Sequence, residues 1–359
     1  MISTADETAV VGGVDTHTDS HQAAVIDSIG RHLTTQAFPT TPDGYHRLLD
    51  WLRSHGALIA VGVEGTGAYG SGLARYLQDN QVTVIEVDRP DRRARRAGGK
   101  SDPIDAFAAT AVLTGRATGT PKTRDGIVEA IRALRVVRRS AVKARTQTIH
   151  QIRTLIITAP DEVREQLRAL APAELIKHLA RSRPRTQTSE PACAVKVALR
   201  RLARRHQYLT AEIGDADAEL KALMAQAAPE LVALPGVGIE TAAQLLITAG
   251  DNPERFTSEA SFAHLCAVAP IPASSGRTNR HRLNRGGDRR ANHALHMIAL
   301  VRMRYDQRTQ EYVARRTAEG MSKKDILRCL KRFIAREIYK HLTRQHTNHS
   351  ASSRSLDGL

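Results

Sequence analysis

Short hydrophobic runs bounded by turn residues fill the first quarter of the chain, and they predict strands that alternate with helices. The predicted strands are Ala9–Asp15, His21–Asp27, His32–Phe38, Leu58–Glu64 and Val82–Val87. Amphipathic spacing predicts helices at Thr41–His55 and Gly70–Asp79, and Ser101 opens another that runs to about Thr114. Hairpin-type strands followed by alternating helices and strands indicate an α/β domain, with a mixed sheet covered by helices.

The pattern changes at about Gly126, where strand signals end and long helices rich in Arg, Leu and Ala are predicted. Pro172 and residues 182–191 interrupt these helices. A heptad seam follows, formed by Leu199, Leu202, His206, Leu209, Ile213, Ala216, Leu220 and Leu223. The seam fits a helical hairpin inside one subunit, and it fits equally an intermolecular coiled coil that pairs subunits.

The last third of the chain begins with LPGVGIETAAQLL (Leu234–Leu246), which predicts a tight Gly turn entering a helix. A basic loop and further helices follow, and the polar tail at 346–359 is predicted to be disordered. The chain is therefore predicted to be α/β and then all-α. The predicted parts are an α/β domain at residues 8–120, a helical coiled-coil or oligomerisation segment at 121–227, a helical C-terminal domain at 228–345 and the tail at 346–359.

The charge balance of the chain indicates a polyanionic partner. Lys and Arg number 53 against 37 Asp and Glu, which gives a formal net charge of +16. From Ser275 to Arg344 there are nineteen Lys and Arg against six Asp and Glu. A surplus this large is typical of proteins that neutralise the phosphates of a nucleic acid, although solvated helix faces would also produce it. Aromatic residues are only 4% of the chain, so recognition by base stacking is not expected to dominate.

The remaining composition bears on location. Three widely spaced cysteines, Cys193, Cys266 and Cys329, form no CxxC pair and fit a reducing compartment. The N-terminus has no basic stretch before an apolar core, and no apolar run approaches the roughly 20 residues that span a bilayer. We therefore expect a cytoplasmic protein without a membrane partner.

Four carboxylates are the strongest candidates for chemistry. Asp15 and Glu64 each end a predicted strand, and Asp102 and Asp105 lie three residues apart at the start of a helix. Hard oxygen ligands from separate elements are what Mg²⁺ prefers, and two such ions about 4 Å apart can support phosphoryl transfer. Any one of these acids alone would more simply cap a strand or a helix, and it is the set that favours a metal site. His17 and His21 lie close to Asp15 and could be ligands, although ordinary loop and strand roles fit these two histidines better. Asp19 and Asp88 are the runner-up carboxylates.

Two further motifs suit a nucleic acid. LPGVGIETA has the form of a helix-hairpin-helix, whose Gly236 and Gly238 would expose backbone N–H groups to phosphates, unless it is a plain Gly turn. Ser274 and Ser275 precede Gly276 in a loop dense with arginine; in composition alone such serines are usually turn formers. The candidate phosphate contacts of this loop are Arg277, Arg280, Arg282 and Arg285.

Together these motifs resemble one known family. GVDTHTDSH, GVEGTGAYG, KSDPIDA, LPGVGIETA and APIPASSGRTNR…RGGDRRANHAL occur in the same order as in insertion-sequence transposases of the RuvC-like DEDD type, family one hundred and ten. The resemblance covers about Val10 to His341 and implies an RNase H-like, or RuvC-like, N-terminal domain followed by a helical C-terminal transposase domain.

The resemblance also implies site residues and partners. Asp15, Glu64, Asp102 and Asp105 match the DEDD metal site, which implies two Mg²⁺ ions, with Mn²⁺ as a substitute. Ser275 matches the family's nucleophile, with Ser274 as the fallback, and implies a phosphoserine link to DNA made at the same phosphate that the acids serve. The implied partners are donor and target DNA and a guide non-coding RNA. Because strand exchange needs more than one active site, we expect a homodimer or a homotetramer. We also expect the protein to be associated with the nucleoid when it is bound to DNA.

Two other functions use the same residues differently. A junction-resolving nuclease would use the acids with metal-activated water as the nucleophile, and it would leave free DNA ends. A non-catalytic nucleic-acid-binding protein would use the acids structurally, although paired acids near DNA repel phosphate unless a metal intervenes.

Overall fold

The computed structural model describes residues 8–87, 107–184, 189–277 and 281–354, without the side chains of 345–354. The described chain forms two compact units. The first contains the residues up to Gly126 together with Ala249–Phe262 and the chain from Thr343 onward. The second contains Ile127–Thr248 and Ala263–Leu342. In the described part, no helix combines the length and the apolar character needed to cross a membrane.

A five-stranded mixed sheet forms the centre of the first unit, with the order β3-β2-β1-β4-β5. Its strands are β1 (Ala9–Thr16), β2 (Ser20–Asp27), β3 (His32–Pro39), β4 (Ala57–Glu64) and β5 (Val84–Val87). The first three strands are antiparallel neighbours, whereas β4 runs parallel to both β1 and β5. The sequence prediction of a mixed sheet is confirmed, and the arrangement is consistent with an RNase H-like domain.

The two faces of the sheet are covered by different helices. Helices α1 (Pro42–Arg53) and α2 (Ser71–Asp79) cover one face, where Val14 and Val63 lie in a core with Leu52. Helix α3 (Phe107–Leu113) covers the other face, where Ala109 packs on Val11, Ala24 and Ile26. Because strand residues alternate between faces, Asp15 and Glu64, which follow Val14 and Val63, belong to the α3 face.

Local sequence explains where α1 begins and which side it buries. The Thr41 side chain accepts a hydrogen bond from the Gly44 N–H at 3.1 Å, and Pro42 occupies the first helical turn. Leu48, Leu49 and Leu52 are spaced to share one side of the helix, and all are buried against the sheet.

Two long antiparallel helices, α4 (Ile127–Ile157) and α7 (Pro191–Ala227), dominate the second unit. Ile152 near the end of α4 shares a core with Leu199 near the start of α7, and Ala141 packs on Leu209 further along. Between them lie α5 (Asp161–Arg168) and α6 (Pro172–Arg181). Much of the predicted heptad seam is buried against α4 of the same chain, which is the helical-hairpin alternative. Pairing between subunits remains a prediction.

Helices of varied length and a small hairpin make up the rest of the described chain. In order they are α8 (Pro229–Val232), α9 (Ile239–Ala249), a 3₁₀ turn (Pro253–Arg255), α10 (Glu259–Leu265), β6 (Ile271–Pro272), β7 (His281–Arg282), α11 (Arg289–Tyr305), α12 (Gln307–Ala318) and α13 (Lys323–Arg354). The backbone is helical over 346–354, where the sequence predicted a disordered tail. No Gly or Pro interrupts the sequence between Lys323 and Arg354, so nothing local stops the helix.

Candidate active site

Asp15 is the next-to-last residue of β1 and Glu64 is the last residue of β4, at the same edge of the sheet. The parallel register pairs Val14 with Val63, so the two acids are the next residues on neighbouring strands. Glu64 is only 2% exposed, and the Asp15 side chain is 22% exposed. The structure therefore brings together two of the four acids that the sequence selected, as expected for strands that end at one edge.

Specific contacts fix the strand ends that carry these acids. The Thr16 hydroxyl donates a hydrogen bond to the Glu64 carbonyl oxygen at 2.9 Å and ties β1 to β4 immediately beside the acids. The Nε2 atom of His17 lies 3.2 Å from a carboxylate oxygen of Asp15. With 63% of its side chain exposed, His17 is a solvent-side neighbour of Asp15.

Two glycines let α3 approach the sheet just below the acids. Gly13 and Gly62 precede Asp15 and Glu64 by two residues, so they share their face of the sheet. A Cβ atom on Gly13 would lie 2.4 Å from the backbone nitrogen of Ala109, which is closer than real contacts allow. The helix that follows the KSDPIDA motif in the chain is thus held directly against these two strands.

The other two predicted ligands, Asp102 and Asp105, lie outside the described residues. In the described ranges, no group of three or more His, Cys, Asp or Glu side chains could hold a metal ion. Asp15 and Glu64 nevertheless fit a divalent metal, because they are hard oxygen donors placed side by side, and a cation relieves the repulsion between neighbouring carboxylates.

His21, the other histidine of the first motif, lies on the opposite face of the sheet. It pairs with Thr16 across β1 and β2, is fully buried, and stacks on Tyr45 with ring centroids 5.7 Å apart. Neither ring nitrogen has a hydrogen-bond partner in the part of the chain described. Burial lowers the pKa of His21, and His17 lowers it further, while Asp15 acts in the opposite direction. His21 is a buried neutral residue of the core beside the site.

A polar cluster on β5 was missed by the sequence analysis. Glu86 accepts a hydrogen bond from the Thr66 hydroxyl at 2.6 Å and lies 3.6 Å from the Arg255 guanidinium. Arg255 also donates to the carbonyl oxygens of Thr120 and Ala249, and its side chain is 9% exposed. The only signal was an acid inside the otherwise apolar strand VIEV.

The glycine turn at 234–238 connects α8 to α9. Gly236 has a positive φ of 72°, and a Cβ there would lie 3.0 Å from Cγ of Arg302, whose Nε donates to the Pro235 carbonyl oxygen at 2.7 Å. Gly238 is exposed, with open space around its Cβ position. Gly238 is therefore open to a partner, whereas Gly236 is half-buried beside Arg302, and the helix-hairpin-helix remains a prediction.

The candidate serines lie on the hairpin formed by β6 and β7, called the serine hairpin below. Ile271 pairs with Arg282, and Pro272 pairs with His281. Ser274 and Ser275 are exposed, and Gly276 follows with a φ of 55°. The arginines of this loop that the structure describes, Arg277, Arg282 and Arg285, are also exposed, and Arg280 lies outside the described residues. The hairpin presents hydroxyl and guanidinium groups to solvent.

A buried hydrogen-bond network supports the base of the serine hairpin. A Cβ on Gly287 would lie 2.5 Å from the Leu265 carbonyl oxygen, so only glycine fits where the chain crosses the end of α10. Asp288 then caps α11 by accepting from the Arg290 and Ala291 N–H groups, and it accepts from the Thr248 hydroxyl at 2.7 Å.

The network continues into the long helices through ion pairs. Arg135 donates to Gln244 at 2.6 Å, and both Arg135 and Arg138 pair with Glu240, at 3.3 and 3.1 Å. Gln244 in turn donates to Thr248 at 3.0 Å. Burial lowers the pKa of Arg135, and Glu240 partly offsets this effect. Helices α4 and α9 and the start of α11 are thus linked by polar contacts that the sequence pattern did not indicate.

Two regions of the sequence match models of known protein families. Residues 12–158 match a family model described as a transposase, of the DEDD type of IS110. Residues 228–314 match the model described as the transposase IS116/IS110/IS902 family. The first match contains all four candidate acids, and the second contains the glycine turn and the serine hairpin.

Three curated proteins are also similar. An uncharacterized 42 kDa protein of insertion element IS900 from Mycobacterium paratuberculosis is 32% identical over 33% of this chain and 31% of its own length. A 43.6 kDa protein of insertion element IS110 from Streptomyces coelicolor is 38% identical over 26% of this chain and 23% of its own. The chain thus spans less than a third of the length of these two relatives.

The third relative is covered over most of its length. A mini-circle protein of IS117 from Streptomyces coelicolor is 27% identical over 76% of this chain and 79% of its own length. The two family models match separate parts of the chain in the same order as the motifs. Taken together, the matches show that two separate regions of the chain are similar to transposases of the IS110/IS116 family.

Proposed function

We propose that this protein is a DNA transposase that cleaves and rejoins the strands of an insertion sequence with a metal-dependent acid site and a serine nucleophile. The observation that carries the proposal is the placement of Asp15 and Glu64 at the ends of adjacent strands. The similarity to IS110/IS116 transposases supports it, as do the exposed serine hairpin and the net charge of +16.

In this proposal Asp15 and Glu64 hold the divalent cations together with Asp102 and Asp105. The last two acids precede Phe107, the first residue of α3, by five and two positions in the sequence. Mg²⁺ bound there would neutralise phosphate charge, and Mn²⁺ would substitute for it. Thr16 and the close approach of α3 at Gly13 and Gly62 keep the carboxylates of β1 and β4 in place.

Ser275 supplies the nucleophile in this proposal, with Ser274 as the alternative. Its Oγ forms a bond to phosphorus, the bond from phosphorus to the departing strand oxygen breaks, and the hydroxyl proton leaves to that oxygen. The phosphodiester is thereby conserved as a phosphoserine, and attack by a second strand end reverses the step. Arg277 and Arg282 flank the serine in the hairpin, where they stabilise charge on the phosphate.

Strand exchange requires more than one active site, so we propose a homodimer or homotetramer that binds donor and target DNA. A structured non-coding RNA would select the sites, and the surplus of Lys and Arg suits a polyanion of this kind. Sequencing the RNA that copurifies with the protein tests this part. One folded species that is complementary to donor and target is expected, and random fragments would contradict it.

The acid site is tested by excision of the element from a plasmid that carries the gene with its flanking DNA. Asp15→Asn, Glu64→Gln and Asp102→Asn should each reduce excision at least about 100-fold, because a lost ligand costs more than the loss of a supporting contact. Asp50→Asn, which changes an acid with 60% of its side chain exposed on α1, is the matched control and should excise normally. Normal excision by folded Asp15→Asn protein would overturn the proposal.

A further inference from the structure

A cavity of about 850 Å³ lies beside the base of the serine hairpin, within the second unit. One wall is formed by Ala267–Pro270, which precede β6, and by His281–Asn284, which include β7. The opposite wall is the turn at Gly320–Ser322 and the first turns of α13. The volume falls in the usual range of small-molecule and nucleotide sites, about 300–1,000 Å³.

The lining of this cavity is strongly cationic. Arg282, Arg328, Lys331 and Arg332 all contribute to it. Asp325 is the one carboxylate among the described residues that line the cavity, and it is already engaged by Arg328 at 2.7 Å and by the Ser322 hydroxyl at 2.6 Å. The excess of positive charge in a concave site favours an anionic group, and the geometry suits a phosphate.

Lys331 is held in place at the cavity wall. Its Nζ donates to the Asn292 side-chain oxygen at 2.9 Å, and the Asn292 amide donates to the Cys266 and Ala267 carbonyl oxygens at 3.3 and 2.9 Å. An ammonium group has three N–H donors, and this bond uses one of them. Burial lowers the pKa of Lys331, and Arg328 lowers it further, so an anion in the cavity would stabilise its charged form.

The same cavity has an apolar side. Phe333 lines it with 49% of the residue exposed, and Leu283 and Met321 line it as well. The Tyr312 ring contacts Phe333 edge-on, with centroids 5.7 Å apart, and fixes the orientation of the phenyl ring. An exposed aromatic face beside cationic groups is the combination that binds a base and its phosphate together.

We propose that this cavity binds one unstacked nucleotide of the DNA strand that reaches the serine hairpin. The proposal rests on the proposed function, because it takes the serine as the group that meets the strand. Ser275 is four residues from Ile271, the partner of Arg282, so at most about 13 Å of extended chain separates it from the cavity wall. A strand held in the cavity therefore reaches the serine within a few nucleotides.

Cys329 provides a direct readout, because it is one of the residues that line the cavity and it is partly exposed. The experiment follows alkylation of the full-length protein by iodoacetamide, with the modified peptides identified by mass spectrometry. Single-stranded DNA, RNA of the same sequence, the DNA duplex and inorganic phosphate are compared as protecting agents. Cys193, which is also partly exposed but lies on α7, is the internal control.

Single-stranded DNA at about ten times its Kd should slow alkylation of Cys329 about tenfold and leave Cys193 unchanged. Lys331→Gln should weaken binding of the DNA about tenfold, as expected for the loss of a charge-assisted hydrogen bond. At the same DNA concentration, the protection of Cys329 should then fall to about twofold. Phe333→Leu keeps the charges, and it should weaken protection by single-stranded DNA while leaving protection by phosphate unchanged.

Unchanged alkylation of Cys329 when DNA is bound would overturn the proposal, and so would protection by RNA or by duplex alone. The measurement uses no divalent metal and no cleavage. If the proposed function is wrong, the wild-type protein should not excise the element, although single-stranded DNA still protects Cys329. If only this inference is wrong, the wild-type protein should excise the element normally, but DNA should not protect Cys329.

Discussion

Gly62 and Ala108 contact each other so closely that a Cβ atom at position 62 would lie 2.6 Å from the Ala108 carbonyl oxygen. Gly13, on the neighbouring strand β1, approaches Ala109 of α3 equally closely. Each glycine precedes a strand-end acid by two residues on the same face, so this pair sets the separation between α3 and the sheet below the acids.

Gly62→Ala should therefore destabilise the first unit and reduce excision. Forcing a methyl group into a packed contact costs about 2 kcal/mol in the free energy of unfolding, since helix and strand must separate. Urea denaturation followed by circular dichroism measures this cost.

Gly214→Ala is the matched control for this substitution. Gly214 lies inside α7 with open space around its Cβ position, so the alanine should stabilise the protein by about 0.5–1 kcal/mol and leave excision unchanged. Equal stability of the two variants would contradict the packing account.

Glu240→Gln should destabilise the second unit by about 2 kcal/mol, because it leaves Arg135 and Arg138 without a shared carboxylate. The side chains of these arginines are only 12% and 20% exposed, whereas Glu240 itself is 33% exposed, which keeps the cost below that of a fully buried pair. Thermal unfolding gives the difference. Glu165→Gln, which breaks an exposed pair with Arg168, should cost less than about 0.5 kcal/mol. Comparable losses in the two variants would contradict the role of the network.

The stability of the protein should depend on pH through His21. Burial lowers the pKa of this residue below its ordinary value of about 6.5, so below that pH the unfolded chain binds a proton that the folded chain does not. The free energy of unfolding should therefore decrease as pH falls from about 7.5 through 6.5 toward the folded value. His21→Leu, which replaces a buried ring between Thr16 and Tyr45, should show a flatter profile in denaturant titrations from pH 8 to 5. Identical slopes for both proteins would show that another group is responsible.

Much of the first unit follows from the sequence. The apolar runs of the first quarter predict strands that are buried in a sheet. Asp15 and Glu64 come at the C-terminal ends of two of these strands. Parallel pairing of β1 with β4 then brings the two acids together. The hydrophobic pattern is compatible with this pairing, but it does not predict which strands are neighbours.

Other features depend on contacts between distant parts of the chain. The seam on α7 has the same heptad spacing whether it packs on α4 or on another subunit, and the intrachain core at Ala141 and Leu209 is visible only in three dimensions. The cluster of Glu86 with Arg255 and the cavity beside the serine hairpin likewise join segments far apart in sequence. Local patterns carry no information on such pairings.

The central claim is that a serine of the hairpin becomes covalently attached to DNA. The most direct measurement is mass spectrometry of the protein trapped during cleavage of a DNA that carries the donor ends. A nucleotide phosphate on Ser275 is predicted for the wild-type protein and for Ser274→Ala, and neither adduct nor cleavage is predicted for Ser275→Ala. Undiminished cleavage by Ser275→Ala, with free DNA ends and no adduct, would contradict the account and favour a nuclease that uses water.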